Sequence, residues 1–572
     1  MITAKTDWRM ALALGAVSGV YVWLAFGWLP AGGYWLPDTG MKRIQAANVR
    51  FTPALDLTID YPGQALDPGF KFLPFTRNFY FIWGERVHFA QPFAIALLSR
   101  PFILLGGDYG ERVAPLLAGL VSVCLTARLA QALGAPAAWL SVLLAGLATP
   151  LLFYSLNFWE HTLAVALGLG ALVLVLRPAH SPPPSARQFV LSGLLMGLAG
   201  VVRKELILCA FAAGLALAVM AVARRRWRGL AAWWGVCAGV FGLYLLASYL
   251  NSGHPVPPEF RISAVPGFTA HAYLRVKGWG GVADFVFDPR YGAWGVWLLA
   301  ALGVYGLARL GPRAWLREGL QIVALAALGL GVGVFIWRES ATPYLRGIFS
   351  ASPVLALGLA ARVEDRRLAR ALALTAGGFW ALAILALGFL TAAGAIHGAG
   401  EWGSRFLLIL FPLGAPFAAS GLQAIRDRAA RGVLARLHWI AALALVALSL
   451  LIQALGVARL REGNVTSLAL RQAILALPER QVVTNQIWLA PRLPEVYLSK
   501  EVFRLDTREE WAEWVRAAYA QGVRRFVFAS SGLPDPALLA AAAPPGTRIA
   551  IVEVRDIGGD FYVTRLEILS TP

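Results

Sequence analysis

Residues 11–29 read ALALGAVSGVYVWLAFGWL, and residues 30–50, which follow, read PAGGYWLPDTGMKRIQAANVR. The first stretch carries no charge and is about as long as a hydrocarbon core is thick, roughly 20 helical residues. Lys5 and Arg9 precede it, as in a signal peptide. It is too long for a signal peptide's apolar region, however, and has no small-residue cleavage site, so it reads as a retained membrane anchor. The second stretch turns at once to Gly, Pro and charge. The chain therefore leaves the bilayer there, with an acid, Asp38, just past the first span.

The rest of the chain repeats the first reading. Of 572 residues, 58% are hydrophobic and only 15% are charged, against roughly 25% charged in soluble domains. Mean hydropathy is +0.62. This excludes a soluble enzyme and a disordered chain. Further apolar runs near 113–129, 136–155, 162–176, 189–202, 205–223, 230–250, 292–308, 320–337, 343–361, 371–396, 405–420 and 439–460 predict about thirteen spans. Pro92–Gly106 is apolar but short, with Arg100-Pro101 in its middle, and reads as an interfacial or re-entrant helix because charge and Pro are costly at the bilayer centre. The net charge of +19 suggests no nucleic-acid partner, since the cations are scattered in short loops between apolar runs. Most of them fall on one side, which places the N-terminus in the cytoplasm.

Three segments then lie outside the bilayer: the first outer loop 31–112, a second loop 251–290, and the tail 461–572. In the tail, VVTNQ, VFRL, RRFVFAS, TRIAIVEV and FYVTRLEI read as strands, and TREEWAEWVRAAYAQG as an amphipathic helix ending at Gly522. The expected architecture is an α-helical polytopic membrane domain over 1–460 with a small extracytoplasmic α/β domain over 461–572.

The polar residues on the outer edges of the spans are chemically mixed and suggest a site at that membrane surface. Asp38 is either a general base or the cap of a helix over Thr39–Arg50, paired with Lys42. Asp56, Asp60 and Asp67 sit in turn-rich sequence and read as turn residues. Glu160-His161 opens a span in NFWEHTLA. The pair could bind a divalent cation or a substrate, or Glu160 could meet a helix dipole behind a cap at Ser155 or Asn157. Arg203-Lys204-Glu205 is a tight hairpin tip, able to grip phosphate or to close an Arg–Glu pair. Arg338, Glu401 and Arg405 add charge on the same face. Asn464-Val465-Thr466 matches a glycosylation sequon. No phosphate-binding G-x-x-x-x-G-K-[ST] loop is present.

WLPDTGMKRIQ after the first span, the long loop ending QPFAIALLSRPFILLGGDYGERVAPLLAGL, FYSLNFWEHTLA, GLAGVVRKELIL, FDPRYGAWGVW and EWGSRFLLILFP together resemble the GT-C superfamily of membrane glycosyltransferases, which includes protein O-mannosyltransferases and the aminoarabinose transferase of lipid A. The resemblance covers about residues 1–460. It implies an inverting transferase that moves a sugar from a polyprenyl-phosphate donor to a glycan, lipid or protein acceptor at the outer face of the cytoplasmic membrane, without an organic cofactor. It further implies Asp38 as base, with Glu160 as a second acid. Lys42, Arg43, His161, Arg203, Lys204, Arg338, Glu401 and Arg405 would bind substrate. Many relatives carry a second acid within two residues of the first; here Thr39 and Gly40 stand there, so metal use is open, with Glu160 and His161 as the candidate ligands. Readings from other classes are a transporter or flippase of lipid-linked saccharide and an O-antigen-ligase-like transferase. The scarcity of midplane charge and the lack of a repeat disfavour the transporter.

Overall fold

The computed structural model describes residues 8–570 except 53, 77–78, 179–180, 223–226, 254–256, 258–285, 312, 340–344, 346, 392–401 and 559. Among these, seven helical segments are long and apolar enough to cross a membrane, including Trp227–Leu250, Ala314–Arg338 and Val433–Leu475, and four shorter apolar helices accompany them. This is a multi-pass, mostly helical membrane protein with a small sheet domain in its C-terminal part.

Most apolar runs became helices where the sequence placed them, but two did not form single helices. The run 136–155 breaks into Ala138–Leu147 and Leu151–Ser155, because Pro150 bars the residue before it from helical geometry. The described residues of the run 343–361 make no spanning helix. Ile348–Ala351 is a single turn, followed by a 3-10 stretch over Pro353–Ala360. Pro353 forces Ser352 to φ −153°, ψ 73°, and that stops the first turn. The thirteen expected spans are thus not matched one for one by long helices.

The chain divides into two compact units. The first comprises Met1–Ala25, Arg112–Tyr249 and Ser263–Ala458. In it His161–Val175 packs on Ala186–Val202, which packs on Glu205–Val222. The second comprises Phe26–Glu111, Leu250–Ile262 and Arg459–Pro572.

The second unit holds a five-stranded mixed sheet. Its order is Glu501–Arg504, Gln481–Thr484, Arg525–Ser530, Phe561–Ser570, Thr547–Gly558. The first two pairings are parallel and the last two antiparallel. Helix Arg508–Ala520 starts with a capping box between Thr507 and Glu510 and is followed by Gly522 at φ +83°, as the sequence anticipated. Its Trp511 and Trp514 are buried against Phe526 and Phe528. One apolar core continues from the tail into the first loop. Met41, Ile44, Phe75 and Phe89 share it with Leu470, Tyr497 and Phe503. The loop adds a three-stranded antiparallel sheet, Thr58–Ile59, Arg86–Phe89, Tyr80–Trp83.

Candidate active site

Asp38 lies in the first turn of helix Pro37–Asn48. The helix begins there because Pro37 presets φ at the first helical position. Its N-cap is Leu36, with no side-chain cap bond, so Asp38 does not cap it. Instead the half-buried Asp38 carboxylate accepts a hydrogen bond from Gln91 Nε2 at 3.0 Å, where the helix dipole favours negative charge. The support is built from the first loop. Lys42, one turn on and fully buried, donates to the Pro92 carbonyl at 2.5 Å. Gln45 Nε2 reaches the Gln91 carbonyl at 3.1 Å. Arg100 Nη1 closes the far end, donating to the carbonyls of Ala46 and Ala47 at 2.6 and 3.2 Å. That is the use found for the charge inside the 92–106 run: it ties down a helix C-terminus. Gly40 allows the close approach of Pro491, whose carbonyl oxygen would lie 1.9 Å from an added Cβ.

Arg43 points into a network of charges. It lies 3.8 Å from Asp108 and 3.7 Å from Glu495, and Arg471 approaches the same two acids at 3.0 and 3.6 Å. The buried Tyr34 hydroxyl donates to Glu111 at 2.8 Å. Burial pushes the Glu495 carboxyl above the usual carboxylate range despite the pull of Arg471. Lys42 and Arg43, expected to bind substrate, are thus engaged in holding this unit together. Neither Gln91 nor the Arg43 partners were legible in sequence, because each contact joins distant segments.

In the first unit the structure brings Glu160, His161, Arg203 and Arg405 together. Glu160 is the N-cap of His161–Val175 and makes no side-chain cap bond. Ser155 and Asn157 do not cap this helix either; they bond back to Leu151 and Phe153. Arg203 ends Ala186–Val202 and Glu205 opens the next helix, the tight hairpin read from sequence. Because the helices pack in succession, Arg203 meets both acids, with Nη1 2.8 Å from Glu160 and Nε 2.8 Å from Glu205. All three are buried. His161 Nδ1 lies 3.9 Å from Glu205, and its ring stands edge-on to Trp159 at 4.7 Å. Arg405 sits over Trp159 and Phe406 at 5.1 and 4.7 Å, and Arg203 over the same Phe406 at 5.6 Å.

The Arg203 guanidinium therefore serves as the counterion of two buried carboxylates. Arg405 and Lys204, both half-buried, are the cations of this group that reach solvent. Glu160 and His161 do not by themselves make up a cation site. Among the described residues no group of three or more His, Cys, Asp or Glu could hold an ion, and Arg203 already supplies the positive charge that a cation would bring to Glu160. Glu401 lies outside the described residues.

Arg338 is placed elsewhere in the first unit, at an apolar cavity of about 390 Å³. Trp294, Trp297, Leu298, Leu330 and Phe335 line it, with Arg290 and Arg338 at its polar edge. Arg290 forks onto Asp288 at 2.8 and 2.7 Å and reaches Glu339 at 3.1 Å. The other Glu339 oxygen takes Arg338 at 3.2 Å, and the Arg338 side chain stays 62% exposed. Trp294 and Trp297 are likewise about 70% exposed. Such a place suits a molecule with an apolar chain and an anionic head.

No protein-family model matches the chain, and no curated protein matches it. Solved structures do. ArnT from Cupriavidus metallidurans bound to undecaprenyl phosphate is 16% identical, with 99% of this chain and 98% of that one covered at a TM-score of 0.48. The Archaeoglobus fulgidus oligosaccharyltransferase is 15% identical, with 92% and 70% covered at 0.45. The arabinofuranosyltransferase AftD from Mycobacteria is 15% identical, with 99% and 42% covered at 0.37. None of these likenesses assigns a role to a residue.

Proposed function

We propose that this chain is an inverting membrane glycosyltransferase of the GT-C kind. It moves a sugar from a polyprenyl-phosphate donor to a glycan, lipid or protein acceptor at the outer face of the cytoplasmic membrane. The observation that carries this is the apolar cavity edged by Arg290 and the exposed Arg338, which suits an isoprenoid chain with a phosphate head. The sequence resemblance points the same way. In this reading 1–460 is the catalytic domain, 461–572 is extracytoplasmic, and the N-terminus is cytoplasmic.

Asp38 is the base. Its carboxylate accepts the acceptor's hydroxyl proton as that oxygen attacks the anomeric carbon. The bond from that carbon to the phosphate oxygen breaks on the opposite face, and its electron pair stays with the departing polyprenyl phosphate. Configuration inverts. Preorganised cations stabilise the growing negative charge on the leaving phosphate, and Arg338, on the edge of the apolar cavity, is the candidate. Gln91 orients the base, and Arg203 fixes Glu160 and Glu205. The activated donor supplies the driving force.

The test offers the detergent-purified chain a panel of radiolabelled polyprenyl-phosphate sugars with a membrane-lipid extract as acceptor. Release of polyprenyl phosphate is the expected result. If no donor on the panel is bound or turned over, the proposal fails.

A further inference from the structure

The second unit contains another cavity, of about 520 Å³, a size typical of ligand sites. It has no part in the mechanism above. Arg50, Asp56, Thr58, Asp60, Gln64, Glu85 and Arg86 line it, with the buried Ile59, Tyr61, Phe70 and Val87 behind them. The fold gathers these from three short segments. Arg50 pairs with Asp56 across a small hairpin and is ion-paired to Asp60. Ile59 lies opposite Val87 in the three-stranded sheet. Glu85 comes from the turn between Tyr80–Trp83 and Arg86–Phe89, and Arg86 opens the second of those strands.

That turn is unusual. Gly84 and Glu85 are its two central residues, at φ +55° and +61°. This is the geometry that two-residue hairpins favour, but Gly, Asn or Asp normally fills both places. A Glu there costs on the order of 1 kcal/mol. Phe70, also in the lining, has positive φ too, at +55°. Of the three non-glycine residues with positive φ among those described, Phe70, Glu85 and Asp560, two line this one cavity. Backbone held in such regions concentrates where side chains are aimed for binding.

The chemistry narrows the ligand. Three carboxylates and two guanidinium groups line the cavity together, and Arg50 is already ion-paired to Asp60, so neither a phosphate nor a divalent cation finds an unopposed set of charges. The carboxylates are not arranged for an ion either, since no metal-holding group occurs among the described residues. A sugar fits this polar lining: its vicinal hydroxyls donate to carboxylates and accept from guanidinium N–H groups.

We propose that this cavity is a saccharide-binding subsite, selective for neutral or singly aminated sugars, that seats the glycan of the acceptor. Its use by an acceptor rests on the transferase reading; the binding of sugar does not. The experiment is saturation-transfer NMR on the full chain in detergent, with maltotriose, mannotriose and chitotriose as probes, on wild type and Glu85→Gly. Gly suits the positive φ at this position, so a loss of binding cannot be ascribed to misfolding. Saturation transfer to at least one trisaccharide, weakened at least tenfold by Glu85→Gly, is expected. Absence of transfer to all three, or equal binding by Glu85→Gly, overturns the proposal. Binding that depends on Glu85 in a protein that releases no polyprenyl phosphate would sink the transferase reading and leave the sugar site standing.

Discussion

Replacing Arg203 with Met should damage the fold rather than the grip on donor. Arg203 is 8% exposed and donates at 2.8 Å to each of Glu160 and Glu205, themselves 0% and 5% exposed. Met fills much of the same volume but leaves two buried carboxylates without their counterion. Breaking a buried pair this way costs about 3–5 kcal/mol. With an unfolding entropy of about 2 cal/mol/K per residue over the first unit, the melting temperature falls by roughly 4–7 °C. The assay is thermal unfolding in detergent, followed by the fluorescence of the abundant tryptophans. Glu160→Gln/Arg203→Met/Glu205→Gln removes all three charges together and should recover most of the loss, because neutral amides need no counterion. If Arg203→Met melts with wild type and shows only a raised donor KM, the guanidinium is a donor ligand and the clamp argument is wrong.

Other consequences are simpler. Arg338→Gln, at an exposed side chain on the cavity edge, should raise donor KM about tenfold with kcat and melting temperature unchanged; an unchanged KM would remove Arg338 from the donor site. Asn464 is 5% exposed and its Oδ1 accepts from the Trp35 amide at 2.9 Å. Asn464→Leu should therefore destabilise the second unit by about 1–3 kcal/mol, and mass spectrometry should find no glycan on the wild-type sequon; a modified Asn464 would refute the buried contact. Burial raises the Glu495 carboxyl above its ordinary value, so the folded state binds a proton that the unfolded state does not hold until lower pH. Wild type should thus gain stability relative to Glu495→Gln as pH falls from neutral through the raised folded-state value. Parallel pH–stability curves would contradict this.

Much of the fold was legible because its signals are local. Uninterrupted apolar runs mark helices wherever no Pro intervenes, and Ser352-Pro353 and Pro150 mark where one run failed to form a helix and another broke in two. The tail's strands and the helix ending before Gly522 followed from periodicity and capping. What escaped was long-range. Nothing near Asp38 indicates that Gln91 would hold its carboxylate, or that Arg100, read as an awkward charge in an apolar run, closes the far end of the same helix. The hairpin at Arg203-Lys204-Glu205 was visible, but its meeting with Glu160 depends on how three helices pack. Asp56 and Asp60, read as turn residues, also line a cavity with Glu85, because sheet pairing gathers them.

The base is the central claim, and one comparison tests it. Polyprenyl-phosphate release by wild type and by Asp38→Asn is measured at saturating donor, with donor binding measured alongside and chelator added in a parallel set. A positioned base contributes about 10²–10⁴-fold. The account predicts a fall of that size in Asp38→Asn, with donor affinity retained and chelator without effect. Turnover by Asp38→Asn at the wild-type rate would contradict it.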